Sequence, residues 1–214
     1  MALKRAVSSL FVVTLACGAL LAQSTGPKVA HTTHVGPSKA APKTGPKLTT
    51  IFSNLGPTST NAYNDTTGYY VLGPDNSVGL PEQWIGVPFV AAANAHVQQL
   101  QVAVGWISGT PLVNVGLYSD NAGTVGTLLA SGHSVTIPAF GTCCQLVTVN
   151  ITSTAITAGT QYWIVSSSDD TNAPDFTGVY QASNLAVIAG DVGLEGWSSF
   201  TTNTPAAAAR GVVP

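Results

Sequence analysis

Gln99-Leu100-Gln101-Val102-Ala103-Val104-Gly105-Trp106 is the stretch that decides the fold class. Leu100, Val102, Val104 and Trp106 alternate with Gln99, Gln101, Ala103 and Gly105. A repeat of two places successive side chains on opposite faces, so the stretch predicts a strand with one buried face. Val113, Val115 and Leu117 repeat the pattern against Asn114, Gly116 and Tyr118, and Val147, Val149 and Ile151 repeat it against Thr148, Asn150 and Thr152.

Working outward, short runs rich in Val, Ile, Thr and aromatics predict further strands. The full set is 48–54, 68–72, 83–90, 96–106, 113–118, 128–137, 144–151, 161–167, 177–181 and 197–201. Turn residues separate them: Gly73-Pro74-Asp75-Asn76, Ser119 to Gly123, Ser153 to Gly159, and the polar loop Asp169 to Pro174. No segment offers an amphipathic helix of three turns. Ala206 to Ala209 has helix propensity, although Pro205 and Gly211 hem it in. About ten strands with turns every 8–15 residues predict an all-β fold, a two-sheet antiparallel β-sandwich of jelly-roll type. Trp84, Trp106 and Trp163 sit inside strong strand patterns and are expected in the core. No fixed-period repeat suggests a propeller or solenoid.

Composition supports this class. Of 214 residues, 45% are apolar but only 7% are charged, against roughly 25% charged in an average soluble domain. A long-helix bundle would need Glu, Lys and Leu in bulk. The ends differ from the middle. Residues 1–22 read as a signal peptide, with Lys4 and Arg5 ahead of an apolar stretch and small residues near Ala22–Gln23; an uncleaved N-terminal anchor is the rival reading. Cys17 lies in that stretch, behind Thr14-Leu15-Ala16. It is either an h-region cysteine lost with the signal or a lipidation site. Residues 23–48 are rich in Pro, Gly and Lys without apolar periodicity, and are expected to be a disordered linker. The domain is therefore expected over 49–214. That is long enough to bury about 70% of its unfolded-chain surface without a metal or disulfide.

Charge is divided along the chain. Lys28, Lys39, Lys43 and Lys47 lie in the linker, whereas from residue 49 onward one base, Arg210, faces nine acids, a formal −8. This balance disfavours DNA, phosphate esters and acidic membranes as partners, and leaves room for cations and neutral sugars. With an apolar stretch confined to the leader, no membrane span is expected in the mature chain.

Three stretches resemble bacterial secreted domains known as choice-of-anchor domains, type R in particular. They are Ile51-Phe52-Ser53-Asn54-Leu55-Gly56-Pro57, the run from Gly116 through Leu117-Tyr118-Ser119-Asp120 to Leu129, and Ile156-Thr157-Ala158-Gly159-Thr160-Gln161-Tyr162-Trp163. The resemblance covers about residues 51–200. It implies an extracellular β-sandwich attached to the cell by a variable signal, and carries no catalytic residue. Pro205 to Pro214 departs from it, without an apolar anchor helix followed by bases.

Chemistry-bearing residues are few. His96 and His133 are the domain's only histidines, and there is no Gly-Xaa-Ser-Xaa-Gly elbow or His-Glu-Xaa-Xaa-His motif. No enzyme is expected. A glycosidase would need two facing carboxylates, for which Glu82, Glu195 and Asp191 are the candidates. A structural calcium ion would want clustered oxygens, and two loops offer candidate ligands: Asp120 in one, and Asp169 and Asp170 with Asp175 in the other, the better candidate. The same residues also serve ordinary turns. Cys143-Cys144 could form a vicinal disulfide, remain reduced, or bridge two chains. A pyranose stacks on exposed aromatics flanked by amides and carboxylates, so Tyr70, Trp84, Tyr180 and Trp197 are the candidate ligand-binding residues. The expected function is a non-catalytic extracellular or cell-surface module for neutral glycans. The alternative is a structural, self-associating surface protein without a small ligand.

Overall fold

The computed structural model describes residues 29–33, 48–55, 67–139, 145–177 and 185–214. Among them are thirteen strands and no helix. Cys17, Cys143, Cys144 and Tyr180 lie outside the described residues.

The strands form two antiparallel sheets that are not closed. The seven-stranded sheet is built on β5 (Ala95–Ser108). One edge of β5 carries β8 (Gln145–Ile156). Along its other edge, β10 (Ala173–Thr177) pairs the C-terminal half and β13 (Ala207–Val212) the N-terminal half. Outside these lie β3 (Thr67–Tyr70) with β1 (His31–Thr33) at one end, and β2 (Thr49–Ser53) at the other. The six-stranded sheet runs β12 (Trp197–Asn203), β11 (Leu185–Val192), β4 (Gln83–Val90), β9 (Gln161–Ser167), β6 (Val113–Asn121), β7 (Thr124–Ser134). Apart from the hairpins β6–β7 and β11–β12, each strand from β3 onward is followed by one in the opposite sheet.

The main core lies between the sheets. Leu100, Val102 and Val104 of β5 and Val147, Val149 and Ile151 of β8 meet Ile85 and Val87 of β4, Val113, Val115 and Leu117 of β6, and Ile164 of β9. Each of these side chains is buried. On the opposite face of β5, Gln99 Nε2 donates to Asn150 Oδ1 (3.0 Å) and Gln101 Nε2 to Thr148 Oγ1 (3.0 Å), so cross-strand polar pairs complete the predicted alternation. A register shift between Val97 and Gln99 changes the parity, and Val97 joins Leu100 in the core.

Several boundaries differ from the sequence reading. Residues 29–33, expected within the linker, lie against the fold. β1 pairs with β3, and buried Gln83 holds Ala30 from both sides, accepting from its N–H (2.8 Å) and donating to its carbonyl (3.1 Å). β10 starts inside the stretch read as a polar loop, at Ala173, and reaches the expected 177–181 strand at Thr177; residues 178–181 lie outside the described residues. Pro174 is accommodated beside a register shift, a position where a missing N–H is tolerated. Ala206 to Ala209 is not helical. All four are buried, and β13 is hydrogen-bonded on both edges, to β5 and β2. Asn54 locks its entrance, accepting from Ala207 N (2.7 Å) and donating to Pro205 O (2.9 Å). Tertiary pairing outweighs a propensity of a few tenths of a kcal/mol per residue, roughly.

Candidate functional site

The six-stranded sheet is apolar on both faces. In β9 every residue from Tyr162 to Ser166 is buried, the continuous pattern of a strand covered on two sides. Its core-facing residues belong to the main cluster. Its outward residues, Trp163 and Val165, form a second cluster with Val125 and Ala189, against which Trp84, Tyr118 and Trp197 pack half-buried. Two glycines make room for it. A Cβ on Gly116 would lie 2.6 Å from the Tyr118 ring, and one on Gly86 would lie 3.0 Å from Val125 and 3.3 Å from Trp163. The outer strands curl toward each other over this face, with Ser199 Oγ donating to Gly123 O (3.3 Å).

Asp120 secures the floor. Its Oδ1 accepts from Trp163 Nε1 (2.8 Å) and Gln161 Nε2 (2.6 Å), and its Oδ2 from Gly123 N (2.9 Å). One carboxylate thus joins the β6–β7 turn to β9 and satisfies a fully buried indole. Desolvation pushes the Asp120 carboxyl up, but the hydrogen bonds from Gly123, Trp163 and Gln161 together outweigh it and hold it below the usual carboxylate value. The turn has two central residues, Ala122 (φ 52°) and Gly123 (φ 87°), the left-handed pair of a tight hairpin.

Beside the aromatic cluster lies an open cleft of ≈630 Å³. Trp84 and Tyr118 line it with Glu82, Asn114, Ser131, His133, Ser167, Ser168, Asp169 and Asp170. Glu82 Oε1 accepts from Trp84 Nε1 (2.9 Å), which fixes the indole at the cleft wall. Asn114 Nδ2 donates to Asp169 Oδ1 (2.8 Å). Burial pushes the Tyr118 phenol up. Trp197 extends the platform past the cleft, its ring centroid 6.5 Å from that of Trp84 at an interplanar angle of 59°.

The structure therefore brings Trp84 and Trp197 together, with Asp169 and Asp170 at the adjoining cleft. Tyr70 is corrected. It lies on β3 in the other sheet, where its neighbour Tyr69 faces the core, so the two candidate surfaces are separate. Asp120, in the other of the two candidate calcium loops, lies far from Asp169. It is six residues beyond Asn114 along β6, about 20 Å at the rise of a strand, and its oxygens are taken by Trp163, Gln161 and Gly123. Asp175 is in β10, paired with Tyr70 and Gly105 in the other sheet. Among the described residues no three His, Cys, Asp or Glu side chains converge as a metal site requires. Of the glycosidase candidates, Glu82 is bound to Trp84, and Asp191 Oδ1 accepts from Gly196 N (3.1 Å) within the β11–β12 turn. Trp163 is buried as expected, but beneath the outer face rather than between the sheets. Tyr118, Asn114 and His133 were missed as site residues. The signal for Asn114 and Tyr118 was the second half of an alternation, Asn114-Gly116-Tyr118, in which a glycine underlies an aromatic ring.

No protein-family model matches the chain, and no curated protein matches it.

Proposed function

We propose that this chain is a non-catalytic, secreted binding module on a jelly-roll-type sandwich, and that it takes a polysaccharide without acidic groups on the outer face of the six-stranded sheet. The observation that carries this reading is the half-buried aromatic group Trp84, Tyr118 and Trp197 beside an open polar cleft. Sugar rings present apolar C–H faces and a rim of hydroxyls. Aromatic faces take the former, while Asn114, Ser131, His133 and Ser167 offer donors and acceptors for the latter. A polysaccharide chain needs an open trough rather than an enclosed pocket, and this one is open. The absence of any Lys or Arg at the described cleft disfavours anionic chains. A choice-of-anchor type of surface protein remains part of this reading, on the resemblance of its turn and strand motifs.

The test is a thermal melt of the full chain across soluble polysaccharides. A ligand specific to the native state, present at 100 times its dissociation constant, adds about 2.7 kcal/mol. A midpoint rise with one polymer, abolished by Trp84→Ala, supports the reading. No rise with any polymer sinks it and favours the structural, self-associating alternative.

A further inference from the structure

The charge of the cleft narrows the ligand beyond that reading, on which this inference rests. Glu82, Asp169 and Asp170 line one cleft, and among the described residues no Lys or Arg lines it with them. Arg210, the one base in the sequence after residue 48, is in β13 of the other sheet, where its Nη2 donates to Leu48 O (2.8 Å). Among the described residues the three carboxylates thus create a negative field beside the Trp84 and Tyr118 rings that no Lys or Arg at the cleft offsets. A metal ion would need several of these oxygens to converge, and among the described residues no three such groups do. An ammonium group on a larger ligand needs only one or two carboxylates, and it gains from an aromatic face nearby. A second feature points the same way. Ser168 lines this cleft, is only 4% exposed, and its Oγ has no hydrogen-bond partner among the described residues. An unpaired hydroxyl behind a cleft wall has hydrogen-bonding capacity that a donor brought by a ligand can fill once the wall adjusts.

We infer that the sugar seated at the Asp169–Asp170 end of the cleft carries a protonated amine, so that the ligand is an amino-sugar polymer with free amino groups. The N-acetylated form of the same polymer lacks the charge, and an ordinary glucan lacks the nitrogen. Both keep the apolar ring faces that stack on Trp84.

The experiment is calorimetric titration of the full chain with three oligosaccharides of equal length: one of glucosamine, one of N-acetylglucosamine and one of glucose. The pH is held below the pKa of the sugar amine. The glucosamine oligomer binds at least about tenfold tighter than either of the others, a difference of about 1.4 kcal/mol. Raising salt from about 0.01 M to about 1 M shortens the Debye length from about 30 Å to about 3 Å, and removes most of that preference. The double variant Glu82→Gln with Asp170→Asn removes two of the three charges and reduces the preference to about twofold or less. Glu82→Gln keeps an oxygen for Trp84 Nε1, and asparagine tolerates the positive φ found at Asp170. A melt of the variant verifies its fold, and the salt series on the unaltered protein stands if that fold is lost. Equal affinity for all three sugars overturns the amine inference and leaves glycan binding intact. A preference that persists at high salt overturns it too. No binding by any of the three, nor by the wider polysaccharide panel, overturns both.

Discussion

The outer faces of the two sheets were made from the same kind of strand and end in opposite states. On the seven-stranded sheet, Gln99 pairs with Asn150 and Gln101 with Thr148, so the alternation closes on a polar surface. On the six-stranded sheet the corresponding face carries Trp84, Tyr118, Trp163 and Trp197. An antiparallel sheet in a sandwich needs only one apolar face for its core. The second apolar face of the six-stranded sheet is therefore surplus to folding as a sandwich, and it adjoins the cleft with the acidic wall. The difference teaches that a buried aromatic in a β-sandwich is not always part of the inter-sheet core. Trp163 is fully buried, yet it supports a surface.

The comparison breaks hardest at Trp163. Replacing it by Ala removes the floor of the outer cluster and leaves Asp120 without its indole donor. We expect a loss of about 4 kcal/mol in denaturant unfolding, within the range for buried Trp→Ala. The loss should be comparable to that of a large residue in the main core. A cost under about 1 kcal/mol, the level of an ordinary surface site, would show that the outer cluster is not packed.

Asp120 comes next. Asp120→Ala removes the acceptor for Trp163, Gln161 and Gly123, and leaving a buried indole N–H unpaired costs about 1–3 kcal/mol. The sign with pH follows from its lowered pKa. The stabilisation is complete above the unfolded value of 3.8, and is lost as pH falls through the still lower folded value. Melts of the wild type and Asp120→Asn across the acid range should therefore converge as the pH drops below 3.8. Curves that stay parallel would assign the acid sensitivity elsewhere.

The smallest effect sharpens the contrast between faces. In Gly116→Ala the new methyl meets the Tyr118 ring at 2.6 Å and Leu128 Cδ1 at 3.0 Å, so the ring must shift. We expect a cost of about 1 kcal/mol, as for modest overpacking, together with weaker polysaccharide binding in the melt. Gln99→Ala, on the polar face of the other sheet, should stay within about 0.5 kcal/mol and leave binding unchanged. Equal effects on binding from both would place the ligand away from the aromatic face.

Strand identity was legible where a local pattern carried it. The bounds of β4 and β9 match the sequence reading residue for residue, because each is an apolar run closed by polar or turn residues. β13 was not legible, since Ala207 to Ala209 carries no alternation and becomes a strand only by pairing on both sides. β1 was illegible for a related reason. His31 to Thr33 is held through β3, and the neighbouring Ala30 through the side chain of Gln83, 53 residues away. Of the candidate site, Trp197 was visible as an aromatic near a loop, and Trp84 as a candidate whose strand pattern also pointed to the core. Tyr118 was not, because an alternating residue opposite a buried face reads as solvent-facing.

By itself the amino-acid sequence determined the all-β class, the strand faces of β5, β6 and β8, and a domain with one base against nine acids. These are properties of period, composition and charge, and they need no knowledge of which strands are neighbours. Tertiary structure alone decided that β4, β6, β9, β11 and β12 lie side by side, and that the side chains turned away from the core meet on one surface. It also decided that Asp120 holds Trp163 while Asp169 and Asp170 share the cleft with Glu82. The physical reason is range. Alternation acts over two residues, whereas Trp84 and Trp197 are brought together by sheet order across more than a hundred, and no local pattern encodes that order.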